Sequence, residues 1–393
     1  MKVLAVNCGS SSLKFKMYEM PEEKVLISGL FERIGIEDSF YSIKIDGEKF
    51  EKKAELKDHK TAFEILVQEL KDHKVIKNLN EIKGIGHRIV QGGAYFDKTV
   101  EADDDAVEKI DELAVLAPLH NAAAITGIKA AKAVIPTAFE TVTFDTAFYQ
   151  SLEPVNYIYP VPYEWYTDYG VRKYGAHGTS HKYIAARLND LLGKTNTKLI
   201  TCHIGSGASV SAIKDGVCID TSMGLTPNAG LMMGTRCGDT DTSVVTYIMG
   251  KTGMSVKEMD TALNKKSGLL GVSGVSSDSR DIEDGINKGN ERCLLAQKMF
   301  VQKIIDYIAM YYFELGGCDA IAFSAGVGEN SIRTRMDIME GLKVIGIVPD
   351  AEANNVRGKE TLVTTKDSKI PCYIIPTDEE IMIVRDNYAL IEK

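Results

Sequence analysis

A short apolar strand that ends in a turn of glycine and serine occurs twice in this chain, and this repeat constrains the fold more than any other feature. In residues 2–15, the run VLAV leads into NCGSSS and returns through LKF. In residues 199–212, LITC leads into HIGSG and returns through ASVSA. The two stretches align without a gap, so that Asn7 falls on His203 and Gly9 on Gly205. The repeat predicts two domains that arose by duplication.

Both turns are suited to hold an anion. Their backbone N–H groups and hydroxyls can surround a phosphate, and Lys14 adds a positive charge at the first hairpin. A single turn of this composition usually does no more than reverse the chain. Because the pattern recurs at equivalent strand ends, we expect one phosphate-binding turn on each side of a cleft.

The composition is that of a globular protein of two or three domains. The chain has 393 residues, of which 44% are hydrophobic and 26% charged. The formal net charge of −9 argues against nucleic acid as the main partner, because phosphate backbones are bound by clustered lysine and arginine. Seven cysteines without paired spacing, and no long apolar run, favour reduced thiols in the cytoplasm over disulfides, zinc or a membrane span.

Apolar periodicity predicts several further elements. An irregular aromatic stretch that begins at Pro154 is interpreted as the crossing between the domains. Helices are predicted over residues 61–73, 103–116, 121–134, 182–192 and 291–315.

Charged residues lie at the ends of two predicted strands. Residues 82–90 favour a strand that carries Arg88 near its end, and residues 141–144 deliver Asp145. Ligands of α/β sheets usually bind in the crevice at the carboxyl ends of strands. A ligand-binding role is therefore one interpretation. A surface ion pair for Arg88 and a cap of the next turn for Asp145 are the alternatives.

Two segments with much glycine and little periodicity are further candidates. Residues 172–181 place His177 between glycines ahead of an amphipathic helix, although a purely structural histidine is equally consistent with the pattern. The forty residues from Asp220 onward carry Arg236 among small residues, where it could clamp an anion. Long irregular segments in compact domains are usually functional. Residues 265–280 are predicted as another loop of glycine and serine.

The last part of the chain offers a nucleotide site. Residues 319–324 favour a buried strand that opens into a glycine turn, 325–330, where a nucleotide can lie against the backbone. The final strand, 373–376, runs into the acidic sequence TDEE, which either caps a helix or coordinates a metal. Two GKT runs lack the earlier glycine of a P-loop, and the run at 84–89 lacks the third glycine of a dinucleotide fingerprint.

Taken in chain order, the distinctive runs of this sequence closely resemble the acetate kinase family, within the group that includes sugar kinases, the 70-kilodalton heat-shock ATPases and actin. The runs are NCGSSSLK at 7–14, GHRIV at 86–90, APLHN at 117–121, TFDTAF at 143–148, HGTSH at 177–181, DTSMGLTP at 220–227, MGTRCGD at 233–239, SGLLGVSG at 267–274, GVGEN at 326–330 and IPTDEE at 375–380. They span the whole chain.

The resemblance implies an α/β fold of two duplicated actin-like ATPase domains, of the ribonuclease H-like type, that flank a cleft. The N-terminal domain would comprise residues 1–149, completed by the C-terminal helix 380–393, and the C-terminal nucleotide-binding domain residues 150–379. The implied activity is the reversible transfer of the γ-phosphate of ATP to acetate, in line, which gives acetyl phosphate. Mg²⁺, or Mn²⁺ in its place, would be the cofactor of a cytoplasmic homodimer with no nucleic-acid or membrane partner.

The resemblance also implies roles for individual residues. The groups that align or stabilise the reacting atoms would be Asp145, His177 and Arg236. Acetate would be bound by Arg88 and His120. The metal would be supported by Asn7 and Glu379. The nucleotide would be held by Lys14, His203, Ile204, Gly205, Ser206, Gly207, Asp278, Ser279, Arg280, Gly326, Val327, Gly328, Glu329 and Asn330.

The chain departs from the family pattern at a few positions. Ala176 stands where the family usually has phenylalanine and should enlarge the region near the methyl group of acetate, so a kinase of propionate or another short-chain acid is the alternative. Ser206 stands for the usual asparagine and has less reach, and Gln91 stands for a frequent histidine. A third hypothesis is an ATP-driven binding module, which would not need the two arginines, Arg88 and Arg236.

Overall fold

The computed structural model describes residues 1–393, except for the side chains of residues 118 and 119, which lie in the APLHN run. The chain divides into two compact units. Unit 1 comprises residues 1–150 and 378–393, and unit 2 comprises residues 151–377. Among the helices so described, none has the length and the apolar character to cross a membrane.

The strands form one mixed sheet in each unit. They are, in chain order, β1 (Lys2–Gly9), β2 (Ser12–Glu19), β3 (Lys24–Glu32), β4 (Phe40–Ile45), β5 (Glu48–Lys53), β6 (Ile82–Ile89), β7 (Val100–Glu101), β8 (Phe139–Phe144), β9 (Lys198–Ile204), β10 (Ala208–Lys214), β11 (Val217–Thr221), β12 (Ala320–Ser324), β13 (Thr361–Leu362) and β14 (Cys372–Ile374).

The helices cover the sheets. They are α1 (His59–Asp72), α2 (Asp104–Glu112), α3 (Pro118–Val134), α4 (Pro154–Tyr157), α5 (Glu164–Tyr169), α6 (Gly178–Leu192), α7 (Thr242–Thr252), α8 (Val256–Lys265), α9 (Gly268–Ser273), α10 (Ser279–Asn287), α11 (Glu291–Glu314), α12 (Ala325–Asn330), α13 (Ile332–Gly341) and α14 (Glu379–Ile391).

The two sheets share the same central topology. The order is β3-β2-β1-β6-β8 in unit 1 and β11-β10-β9-β12-β14 in unit 2. In each sheet the first three strands form an antiparallel meander, and the next two run parallel to the first. The repeat seen in the sequence therefore corresponds to a duplicated α/β fold, as predicted.

The parallel register brings strand ends together within each sheet. In unit 1, Val6 pairs with His87 and Ile89 pairs with Phe144. The residues that follow these strands therefore lie together at the carboxyl ends of the parallel strands. In unit 2, His203 pairs with Ser324, which sets the second glycine turn beside the start of α12. Arg88 and Asp145 of unit 1, and the turn of residues 203–207 of unit 2, lie at these strand ends.

The segments that were predicted to be irregular contain helices. The prediction of a loop over residues 265–280 is wrong, because α9 lies inside it and α10 begins at its end. The low periodicity after Asp220 likewise hides α7 and α8. The start of α8 has a sequence signal, since Ser255 and Glu258 form a capping box.

The glycines of the failed dinucleotide fingerprint have a packing role. A methyl group on Gly84 would overlap Oδ1 of Asn387 and lie 2.8 Å from Cδ1 of Ile391, both on α14. Asn387 is fully buried, and its amide donates to the carbonyl oxygens of Ile85 and Phe139 at 3.3 and 3.2 Å. The last helix therefore packs directly on the backbone of β6.

This packing predicts that Gly84→Ala destabilises unit 1. We expect the free energy of unfolding to fall by about 1–3 kcal/mol, because a methyl group forced into a packed site costs that much. Thermal unfolding followed by circular dichroism measures the change. Gly250→Ala is the matched control, since Gly250 lies on α7 with no atom within 4 Å of the added carbon, and it should be neutral or stabilising. Equal loss in both variants would contradict the packing role.

Candidate active site

Arg88 and Asp145 form a two-point ion pair at the strand ends of unit 1. Nε of Arg88 donates to Oδ1 of Asp145 at 3.0 Å, and Nη2 donates to Oδ2 at 2.6 Å. The side chain of Asp145 is 2% exposed and that of Arg88 20%. Among the described residues, Nη1 of Arg88 has no hydrogen-bond partner. Asp145 thus fixes the guanidinium by one edge and leaves the other edge available to a second carboxylate.

The acidic start of α14 lies beside the same arginine. Oε2 of Glu379 lies 3.6 Å from Nε of Arg88. Lys14, on β2, forms an ion pair with Glu380. Asp378 caps the helix, since its side chain accepts from the N–H of Ile381 at 3.1 Å. Of the two interpretations of this acidic run, capping therefore applies to Asp378, whereas Glu379 faces the arginine.

The charges of this cluster shift its pKa values. Burial raises the pKa of Asp145 to about 6, with Arg88 opposing the rise and the charge of Glu379 adding to it. Burial acts to lower the pKa of Arg88, but the carboxylates of Asp145 and Glu379 outweigh it, and the pKa is raised. The arginine is charged at all working pH values, and the carboxyl of Asp145 titrates at mildly acidic pH.

The oxygen atoms near Arg88 are of the kind that hold Mg²⁺. Asn7 lies half-buried at the end of β1, opposite Lys14 in the hairpin register. The described residues include no cluster of three or more His, Cys, Asp or Glu side chains that would cage a metal. Mg²⁺ does not need one, because it usually takes one or two carboxylates together with waters and substrate phosphates. The carboxylates of Asp145 and Glu379 both lie near Arg88, so oxygen donors of this kind are present at one place.

In unit 2, the second glycine turn lies against a cation and an imidazole. The N–H of Gly205 donates to the carbonyl of Gly207 at 3.0 Å and closes the turn. A methyl group built on Gly207 would lie 3.3 Å from Nη1 of Arg236 and 3.6 Å from Nε2 of His177. Ser206 is exposed at the tip. Because residue 207 has no side chain, a ligand can approach the turn, Arg236 and His177 together.

Arg236 is a guanidinium without an acidic partner. Its Nη1 donates to the carbonyl of Pro227 at 3.2 Å, and within the described part of the chain it forms no ion pair. Burial lowers its pKa, although arginine stays charged in proteins. The adjoining Gly234 donates to the carbonyl of Ser206 at 3.2 Å, which ties the arginine segment to the turn. A positive charge held without a counter-ion is suited to bind an anionic ligand.

His177 is the N-cap residue that precedes α6, and its backbone is left-handed, with φ of +62°. Its ring stacks on that of His203, with centroids 4.1 Å apart. Nδ1 of His177 lies 2.9 Å from the hydroxyl of Ser209, and Nδ1 of His203 lies 2.8 Å from that of Ser180. The two imidazoles are therefore held by hydroxyl groups of neighbouring elements.

The predicted glycine turn 325–330 is a short helix, α12, which contains the candidate nucleotide-binding residues Gly326, Val327, Gly328, Glu329 and Asn330. Glu329 explains the difference, because its Oε1 accepts from the N–H of Ala325 at 2.8 Å and from that of Thr377 at 3.2 Å. A methyl group on Gly326 would meet no atom within 4 Å, so this face is open.

The segment of Asp278, Ser279 and Arg280 lies next to the same region. Asp278 caps α10 and pairs with Arg280, which lowers its pKa to about 2. A methyl group on Gly234 would approach the carbonyl of Ser277 to 2.9 Å, so this segment packs on the segment that carries Arg236.

In unit 1, His120 lies exposed in the first turn of α3.

Sequence reasoning missed several polar residues that support the site. Asn121 is fully buried, and its side chain bonds to both the N–H and the carbonyl of Gln91, just after the strand that carries Arg88. In unit 2, Ser180, His181 and Ser209 are also fully buried. For Ser180 and His181 the only signal was the density of histidine and serine in HGTSH, and the partners of that motif lie on other strands.

Comparisons with known proteins agree with this architecture. The sequence profile of the Acetokinase family matches residues 2–385. The chain is 50% identical over 393 residues to the acetate kinase of Bacillus velezensis and 49% identical over 387 residues to that of Bacillus subtilis, and these alignments cover at least 98% of each chain.

Solved structures give the same result. The crystal structure of Porphyromonas gingivalis acetate kinase superposes with a TM-score of 0.95 at 43% identity, and that of a propionate kinase from Francisella tularensis with 0.93 at 38%, each over 99% of both chains. The matches span both units of the fold and the whole set of motifs. The chain belongs to the acetokinase family.

Proposed function

We propose that this protein transfers the γ-phosphate of ATP to acetate and forms acetyl phosphate and ADP, reversibly. The observation that carries the proposal is Arg236, a guanidinium without a counter-ion beside a turn built for phosphate. Membership of the family and the acetate kinases among its relatives support the choice of substrate.

Arg88 is proposed to bind the carboxylate of acetate. Asp145 occupies its Nε edge, so that the remaining N–H donors can form a second bidentate contact. His120 is proposed to assist near the substrate. Because a carboxylic acid is already ionised at neutral pH, acetate needs no general base. Asp145 then acts by orienting Arg88 rather than by accepting a proton.

The reaction step forms one bond and breaks one. A carboxylate oxygen of acetate attacks the γ-phosphorus of ATP, and the bond from that phosphorus to the bridging oxygen breaks as ADP leaves. A loose transition state of this kind spreads negative charge over the three equatorial oxygens. Arg236 and His177, which both lie beside Gly207, are proposed to stabilise that charge.

The nucleotide is proposed to be held mainly by unit 2. The turn of residues 203–207 would bind phosphates, with Lys14 of unit 1 adding a positive charge. Residues 278–280 and 326–330 would surround the adenosine, where α12 presents an open face at Gly326.

Mg²⁺, or Mn²⁺ in its place, is proposed as the cofactor. Asn7 and Glu379 would support it, and Asp145 would orient its waters. When bound, the cation neutralises phosphate charge and helps to orient the phosphoryl group. The carboxylate oxygens of Glu379 and Asp145 near Arg88 support this assignment.

A longer acid is the second candidate substrate. Ala176, a small residue in the buried core of unit 2, and the structural similarity to a propionate kinase favour it. The curated relatives described above, which are acetate kinases, favour acetate. Membership of the family also supports a homodimer located in the cytoplasm. Light scattering of the purified protein measures the number of subunits.

The function predicts acyl phosphate formation with a preference for acetate. We expect a coupled assay for ADP and a hydroxylamine trap for acyl phosphate to show a higher kcat/KM for acetate than for propionate or butyrate. Highest kcat/KM for propionate would shift the assignment to the second candidate. ATP binding without acyl phosphate from any of the three acids would instead revive a binding module.

Arg236→Ala should lower kcat by about 10³-fold or more, since one well-placed arginine contributes 10³–10⁵ in such reactions. The unfolding temperature should not fall, because the residue forms no ion pair within the described chain. Arg187→Ala removes an arginine that binds Glu360 at the surface and serves as the control with full activity. Full activity of Arg236→Ala would refute the mechanism.

The pKa of Asp145 predicts an acidic limit to activity. Its carboxylate orients Arg88 only when ionised, so kcat/KM for acetate should be present above pH 6 and fall as the pH drops through about 6. Asp145→Asn should have a low kcat/KM at every pH and should not show the fall at acidic pH. If kcat/KM of the variant falls at the same acidic pH as that of the wild type, another group causes the fall.

A further inference from the structure

A chain of buried hydroxyl and imidazole groups leads to the back of His177. Thr201 on β9 places its hydroxyl 2.6 Å from Nδ1 of His181 on α6. Nε2 of His181 lies 2.8 Å from the hydroxyl of Ser209 on β10, which lies 2.9 Å from Nδ1 of His177. Thr201, His181 and Ser209 are fully buried. The chain therefore runs from the interior to the imidazole that borders the glycine turn.

The hydroxyl of Ser209 links the protonation of the two rings. It carries one proton and faces a nitrogen of each histidine, so when it donates to one ring it accepts from the other. In the first arrangement, Nε2–H of His181 donates to Ser209, and Ser209 donates to Nδ1 of His177, whose proton is then on Nε2. In the second arrangement every bond is reversed, and Nδ1 of His177 carries a proton.

Thr201 is compatible with both directions, because its hydroxyl can donate to Nδ1 of His181 or accept from it. Burial, followed by the influence of His203, lowers the pKa of His181 well below its usual value. A neutral His181 carries one proton, and the position of that proton reports the direction of the whole chain.

The surroundings of His177 decide between the two arrangements. Its Nε2 and Nη1 of Arg236 lie within 3.6 Å of the same point beside Gly207. In the second arrangement, a neutral His177 would turn a lone pair toward phosphate oxygens, and a charged one would add a second cation next to a half-buried guanidinium, which is unfavourable. Only the first arrangement offers a neutral N–H donor to the turn.

We infer that His181 is a positioning residue that acts through Ser209 to hold His177 as the neutral imidazole with its proton on Nε2, directed at the phosphoryl group. The inference rests on the proposed function for the identity of that group. No bond to phosphorus involves His181. Its contribution is that the hydrogen-bond donor of His177 is already set before the substrates bind, so that no reorganisation is needed during transfer.

Nuclear magnetic resonance of ¹⁵N-histidine-labelled protein tests the inference directly. Long-range ¹H–¹⁵N spectra distinguish the two tautomers, and His177→Gln and His181→Gln assign the signals. We expect both rings to carry their proton on Nε2 at pH 7.5 without substrate. A proton on Nδ1 of His181, or a doubly protonated His177, would overturn the inference. This readout stands even if the acetate kinase assay of the wild type fails.

Kinetics of Ser209→Ala give the second measurement. We expect kcat to fall by about 10- to 100-fold, up to the loss found when one preorganised donor is removed, with KM for ATP and acetate changed less than threefold. The tautomer signals of His177 should become averaged. Ser209→Thr keeps the hydroxyl and should restore part of kcat.

Ser211→Ala is the matched control. Ser211 is two residues along the same strand, fully buried, and bonded to the hydroxyl of Thr221 at 2.9 Å rather than to a histidine. It should retain kcat and the histidine spectrum. If Ser209→Ala retains both as well, or if the two variants lose activity equally with equal loss of unfolding temperature, the role of Ser209 is structural and the inference is wrong.

Discussion

The parallel register of the central strands is the constraint on which the rest of this structure depends. The pairing of β1 with β6 and of β6 with β8 brings Asn7, Arg88 and Asp145 to one sheet edge, although they are far apart in the chain. The pairing of β9 with β12 does the same for His203 and Ala325. A shift of register by one residue would turn every side chain to the opposite face. The register therefore specifies the chemistry as well as the core.

The arginines of the two units have opposite electrostatic surroundings. In unit 1 the arginine is bound by acids, so that it is rigid, oriented and only partly satisfied. In unit 2 the arginine contacts a carbonyl oxygen and lies near the imidazole of His177, and no carboxylate of the described residues pairs with it. A small carboxylate needs a directional fork, whereas a phosphoryl group in transfer needs uncompensated positive charge. The same residue type thus lies in two different electrostatic settings because its neighbours differ, which supports the two different roles proposed for it.

Much of the fold could be predicted from the sequence because its signals are local. The glycine and serine turns, the apolar strands and the motif order led to the duplicated fold, and the family is confirmed. The helices within residues 242–287 escaped because they are short and bury few apolar side chains, and because their starts depend on single caps such as Asp241 and Ser255. Ser209 and Asn121 could not be identified, since the partners that give them meaning lie in other strands and helices. The roles of the site residues remain predictions.

The packing of α14 on the glycines of β6 has a consequence for biosynthesis. Residues 378–393 leave the ribosome only after all of residues 151–377, yet they complete the hydrophobic interior of the unit that is synthesised first. Domains generally fold as units while translation proceeds. Unit 1 is therefore expected to stay incompletely folded, with β6 uncovered, until α14 has been synthesised. Unit 2, which is continuous in the chain, can finish folding before then. We therefore expect chaperones to bind mainly to unit 1 during synthesis.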